Sequence, residues 1–184
     1  MASAFTHGLV AAVLVRSWPL KDRPGRLYGL AVACSILPDA DVIAFSLGIP
    51  YEHLLGHRGL SHSLLFALLL GILTAQLLRK RDSARRTGLA SIACCLFAIT
   101  ASHGVLDAMT NGGLGVAFFA PFDESRYFLP WRPLQVSPVS VAAFLSRWGL
   151  EVLISEFLWI WIPCLTLMAI LLWIGRIQSA GPRL

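Results

Sequence analysis

The sequence predicts an all-α fold: an integral membrane bundle of about five transmembrane helices with a long outer interfacial loop. Three observations predict it. The chain is 57% hydrophobic and only 14% charged, with a mean hydropathy of +0.71, whereas soluble domains carry about 25% charged residues. Apolar stretches recur at Phe5–Val15, Leu27–Leu47, Leu64–Leu78, Leu89–Met109 and Val152–Ile174, and a spanning helix needs about 20 such residues. Most of the basic residues fall in alternate connections between these stretches, as the positive-inside rule requires.

Taken in order, these stretches place helices at about 4–18, 27–48, 61–79, 88–109 and 152–175, within a single membrane domain spanning 1–184. The first has no basic residue before its apolar run, so it reads as a retained helix and not as a cleaved secretory signal. Arg16, Lys21, Arg23 and Arg26 follow it; Arg79, Lys80, Arg81, Arg85 and Arg86 separate the third helix from the fourth; Arg176 and Arg183 follow the fifth. Those connections lie inside, giving a multi-pass chain with its amino terminus outside and its carboxyl terminus in the cytoplasm. The net charge of +5 therefore reports topology and excludes a nucleic-acid partner. The third helix needs the Ser61–Ser63 shoulder to reach spanning length, with Ser61 as its expected N-cap. Cys34, Cys94, Cys95 and Cys164 all lie in apolar stretches without CxxC spacing, and read as packing residues.

Residues 110–150 form the outer loop. Phe118, Phe119, Phe122, Tyr127, Phe128, Trp131 and Trp148 alternate there with Asp123, Glu124, Arg126, Arg132 and Arg147. Aromatic rings and arginines suit the membrane interface, while Pro121, Pro130, Pro133 and Pro138 exclude a continuous helix. The segment is either a lid over a site or an anchoring belt.

The topology, assigned without them, brings His7, Asp39, Asp41, His53, His57, His62, His103 and Asp107 to one outward face. Ionisable groups are costly near hydrocarbon and mark function by default. Imidazoles and carboxylates together are the usual ligands of a catalytic divalent metal. His103 and Asp107, four apart, share a helix face. Asp39 and Asp41 point apart in a regular helix, so either Pro38 breaks the helix or only one aspartate reaches an ion. In the run His57–Ser63, Gly59 permits a sharp turn that brings His57 and His62 to one site. Arg58 offers a planar fork for a phosphate. His53, beside Glu52 in the loop, reads as incidental.

Thr6-His7, Leu37-Pro38-Asp39-Ala40-Asp41, His57-Arg58-Gly59-Leu60-Ser61-His62-Ser63 and His103-Gly104-Val105-Leu106-Asp107 occur in that order. Thr110-Asn111-Gly112-Gly113, Phe119-Ala120-Pro121-Phe122, Arg126-Tyr127 and Pro130-Trp131-Arg132-Pro133 follow. With these motifs the chain resembles the YdjM-like family of bacterial inner-membrane proteins, predicted metal-dependent hydrolases. The order His, Asp, His, then His-x-x-x-Asp is also similar, more faintly, to the zinc-dependent phospholipase C and P1 nuclease superfamily. That resemblance implies as ligands His7, one of Asp39 or Asp41, one of His57 or His62, His103 and Asp107. No histidine follows Asp107, so one or two ions are expected instead of three. The expected cofactor is Zn2+, with Mn2+ or Mg2+ as alternatives. The expected reaction is hydrolysis of a phosphate ester in a lipid or lipid-linked substrate at the outer face of the inner membrane. His57 or His62 would protonate the leaving oxygen and Arg58 would hold the phosphate. The rival expectation is a non-catalytic metal-binding protein or a divalent-ion transporter.

Overall fold

The computed structural model describes residues 1–20, 23, 25–81 and 88–180. Lys21, Arg85, Arg86 and Arg183, on which part of the charge argument rests, lie outside the described residues.

Helix α1 (Ala4–Ser17) begins at Ser3, whose side chain accepts from the Thr6 amide. Its 14 residues rise about 21 Å, short of the roughly 30 Å of hydrocarbon. Helix α2 (Gly25–Ile36) continues through a 3-10 segment, Leu37–Val42, into one last α turn, α3 (Ile43–Ser46). Helices α4 (Leu64–Arg81) and α5 (Leu89–Ala108) form the next pair. A four-residue turn, α6 (Val141–Phe144), precedes α7 (Arg147–Glu156). A π turn at Phe157–Trp161 then joins α7 to α8 (Ile162–Ala180). Among the described residues, Gly25–Ser46, Leu89–Ala108 and Arg147–Ile177 are long and apolar enough to cross a membrane, and α1 and α4 are shorter apolar helices. The helical membrane bundle is therefore present, with three candidate spans and two shorter apolar helices among the described residues.

Two local features differ from expectation. The last span begins at Arg147, not near 152, because Ser146 caps the Trp148 amide and Arg147 pairs with Glu151 at 3.2 Å one turn on. Hydropathy does not register either device. Ser63, not Ser61, caps α4, accepting from the Phe66 amide at 3.1 Å. Ser61 is drawn into the polar cluster instead.

Helix α5 is the central post, packed against α4, α2 and α1, while α8 leans on α1. One half of the bundle is closed by Ala11, Val15, Leu27, Ala31, Cys34, Ala75, Cys95, Leu96 and Ile99. Small residues let membrane helices approach closely where no hydrophobic drive separates them from lipid. Cys34 and Cys95 serve in that packing, and all four cysteines are free. The other half of the bundle holds the polar residues.

The 110–140 connection folds back over that half. Thr110 bridges to Leu134 and Val116 to Tyr127. The Ala117 amide donates to the Arg58 carbonyl at 3.0 Å, and the Leu64 amide to that of Phe118 at 2.9 Å. The same segment covers the polar cluster and turns Phe122 outward, 85% exposed.

Candidate metal centre

Pro38 sets the geometry of the centre. In 3-10 pairing the Ser35 carbonyl would look to the nitrogen three residues on, which in proline has no hydrogen. That carbonyl instead accepts from His103 Nδ1 at 2.7 Å. A carbonyl can only accept, so Nδ1 carries the proton and Nε2 of neutral His103 is a bare lone pair. The 3-10 turn also separates Asp39 and Asp41 by about 120° per residue. Asp39 faces His103 and His62, whereas Asp41 faces the far side of His62 and His57.

The opposing wall comes from the loop ahead of α4. Gly59 lets that loop close, because a side chain there would collide with the Leu54 carbonyl oxygen. His62, in the turn before α4, meets Asp41 Oδ2 at 3.2 Å and Ser61 Oγ at 2.9 Å through Nδ1. Its Nε2 then faces His103 Nε2 at 3.0 Å, with Asp39 Oδ1 and Asp107 Oδ2 each 3.6 Å away. Helix α1 lays the His7 ring flat on His103, centroids 3.8 Å apart, with Nε2 3.6 Å from Asp107 Oδ1.

Two imidazole nitrogens thus point at each other inside a buried site. Both cannot be bare, since facing lone pairs repel, so a proton or a cation must lie between them. Burial opposes charge on His62, yet Asp107, Asp39 and Asp41 override it and push the group up to about 10. Among the described residues, both oxygens of Asp39 and both nitrogens of His7 are buried without a hydrogen-bond partner. Orphaned polar groups of this kind cost free energy and call for a missing partner. One ligand atom from each of Asp39, His62, His103 and Asp107 lies within 4.8 Å of the others. The donor set of two imidazoles and two carboxylates suits a divalent ion, zinc first. The residues fit the group that the resemblance implies, and His7 lies against that set with its ring on His103.

Asp41, His57 and His62 form a second such group, but its geometry is different. Asp41 Oδ1 is already bonded to His57 Nδ1 at 2.6 Å, and Oδ2 accepts from the Arg58 amide and Ser61 Oγ. Asp41 has the arrangement of a carboxylate that orients histidines, bonded to His57 and close to His62. Asp39 faces His62 and His103, whereas Asp41 faces His57 and His62 in the second group. Of the two candidate histidines, His62 joins the donor set, and His57 stands beside it with Nε2 uncommitted among the contacts described.

Arg58 departs furthest from expectation. It is 0% exposed. Its Nε donates to Asp107 Oδ2 at 3.0 Å, Nη1 to the Gly112 carbonyl at 3.0 Å and Nη2 to Thr110 Oγ1 at 2.9 Å. A phosphate cannot reach this fork without unmaking those bonds. Arg58 holds Asp107, with Gly113 at φ +86° keeping clear of its Nη1. His53 stays exposed, its Nδ1 accepting from the Leu55 amide, and takes no part.

Sequence reasoning missed the orienting partners Ser35, Thr110 and Gly112, and also Glu156. The last was detectable: an acid within an apolar span is a functional signal by itself.

A family model described as "YdjM inner membrane protein" matches residues 1–180. The inner membrane protein YbcI of Escherichia coli (strain K12) is 36% identical over 178 residues, covering 96% of this chain and 100% of that protein. No solved structure matches. The histidines and aspartates gathered at one end of this bundle are therefore those of a family member, and the chain belongs to the YdjM inner membrane protein family.

Proposed function

We propose that the chain is a metal-dependent hydrolase acting on a phosphate ester of a lipid or lipid-linked substrate. The observation that carries the metal is the convergence of one ligand atom from each of Asp39, His62, His103 and Asp107 within 4.8 Å, with both Asp39 oxygens buried and without a hydrogen-bond partner among the described residues. His62, His103, Asp39 and Asp107 would hold the ion, with His7 adjacent. A divalent ion there supplies Lewis-acid polarisation of the phosphoryl oxygen and lowers the pKa of water toward about 7.

The protein's own chemistry rests on His57. Asp41 fixes its Nδ1, which leaves Nε2 to give or take a proton next to the donor set. A histidine that is oriented like a ligand yet lies outside the four-donor set is more than a structural metal site requires, and this favours hydrolysis over the rival reading. A lipid substrate is supported by a cavity of about 190 Å³ lined by Ser3, Phe5, Pro138, Val139, Val141 and Phe144. Met1 and Ser3 line it, and the amide of Ala2 between them donates to Asp107 Oδ1 at 2.7 Å. His57→Ala should keep the metal and lose turnover on lipid phosphates by about a hundredfold or more, the usual weight of a general acid or base. Phosphate release by metal-loaded wild type and His57→Ala in detergent checks this. No release by wild type from any phosphoester returns the protein to the non-catalytic reading.

The same proposal sets the centre toward the outer face, with the amino terminus outside and the carboxyl terminus inside. Arg16, Arg23, Arg26 and Arg79 lie toward the opposite ends of their helices from the cluster. Cysteines placed at Glu52 and Asp123 should react with an impermeant thiol reagent from outside, and those at Lys21 and Arg85 only after permeabilisation. The opposite pattern inverts the orientation.

A further inference from the structure

Glu156 lies in the Arg147–Ile177 span and is 0% exposed. Its Oε1 accepts from the Ser3 amide, and its Oε2 accepts from Ser3 Oγ and, at 2.7 Å, from Thr6 Oγ1. The π turn that starts at the next residue ends at Trp161, whose indole Nε1 donates to the same Thr6 hydroxyl at 2.6 Å. Both ends of the widened turn thus grip the start of α1. A cap alone does not explain the acid. Ser3 Oγ already caps α1 by accepting from the Thr6 amide, and a fully buried carboxylate is expensive to keep. π turns inside helices recur at functional sites.

The gripped segment touches the metal centre twice. Ala2 donates to Asp107 Oδ1 at 2.7 Å, and His7, next to Thr6, stacks on His103 at 3.8 Å. We propose that Glu156 is a positioning residue of the metal centre. It pins Ser3 and Thr6 and so holds His7 and the Ala2 amide against the ligands, joining the lipid-facing last span to the site. The inference rests on the metal-centre reading above.

The test is a double-mutant cycle on Co2+ binding in detergent, read by affinity and by the visible absorption of the bound ion. Glu156→Gln keeps the size of the side chain but places an NH2 where one oxygen accepts donors, so the Ser3–Thr6 grip loosens. Co2+ affinity should fall about ten- to a hundredfold, as for other groups that orient ligands. The visible spectrum should shift toward that of His7→Ala, and the pair Glu156→Gln/His7→Ala should bind no more weakly than the weaker single variant. Thr6→Val removes only one hydroxyl and should give a smaller loss, also coupled to His7, which carries the test if Glu156→Gln does not fold. Losses that add independently of His7, or unchanged affinity in Glu156→Gln, overturn the proposal. Wild type that fails to take up Co2+ overturns the metal-centre reading itself, a result distinct from the additive one.

Discussion

His103→Ala and Asp107→Ala should each abolish stoichiometric metal in the purified protein, the first by leaving His62 Nε2 without its facing donor. Removing His103 also takes away the donor to the Ser35 carbonyl and the ring on which His7 stacks. Removing Asp107 strands the Arg58 guanidinium and the Ala2 amide together. Asp41→Asn should lower affinity by only about ten- to a hundredfold, because it orients His62 and His57 without facing the ion. His53→Ala should change nothing. Elemental analysis of the purified variants settles the order. Full metal in a His103→Ala, Asp107→Ala double variant, or equal loss in His53→Ala, would sink the assignment.

What was legible in the sequence follows from periodicity and charge. Hydropathy found all five apolar helices, and four-residue spacing correctly paired His103 with Asp107 on one face of α5. Proline chemistry foresaw the change at Leu37–Asp41, but not that a 3-10 turn would give the two aspartates separate duties. The division of labour between His57 and His62 was not legible, because both turn Nδ1 to Asp41 and differ in what the fold brings opposite Nε2. The fate of Arg58 was hidden for the same reason: its partners Thr110 and Gly112 come from the far side of α5, 52 and 54 residues on. Local spacing cannot report such contacts. Glu156 was visible as an anomaly in composition, yet its partners Ser3 and Thr6 are 153 and 150 residues away.

Arg58 makes the sharpest separation between the two accounts of this site. A phosphate-gripping arginine would lose turnover on replacement while keeping the metal and the fold. The buried geometry demands the opposite. Arg58→Ala breaks a fully buried pair with Asp107, which costs about 3–5 kcal/mol, and it lets the carboxylate swing from the donor set. Metal content and thermal stability should therefore fall together, before any effect on catalysis can be read. Arg58→Lys keeps the charge but cannot reach Asp107, Thr110 and Gly112 at once, so it should recover only part of both. The backbone adds an internal control. Arg58 holds φ at +62°, in the left-handed region, where an L side chain costs roughly 1–2 kcal/mol and glycine costs little. Arg58→Gly should thus melt above Arg58→Ala although both lack the guanidinium, while matching it in lost metal. Melting curves and metal content for the three variants decide the matter. An Arg58→Ala protein with wild-type stability and full metal, defective only in phosphate release, would return Arg58 to the substrate and leave Asp107 to be held by the Ala2 amide alone.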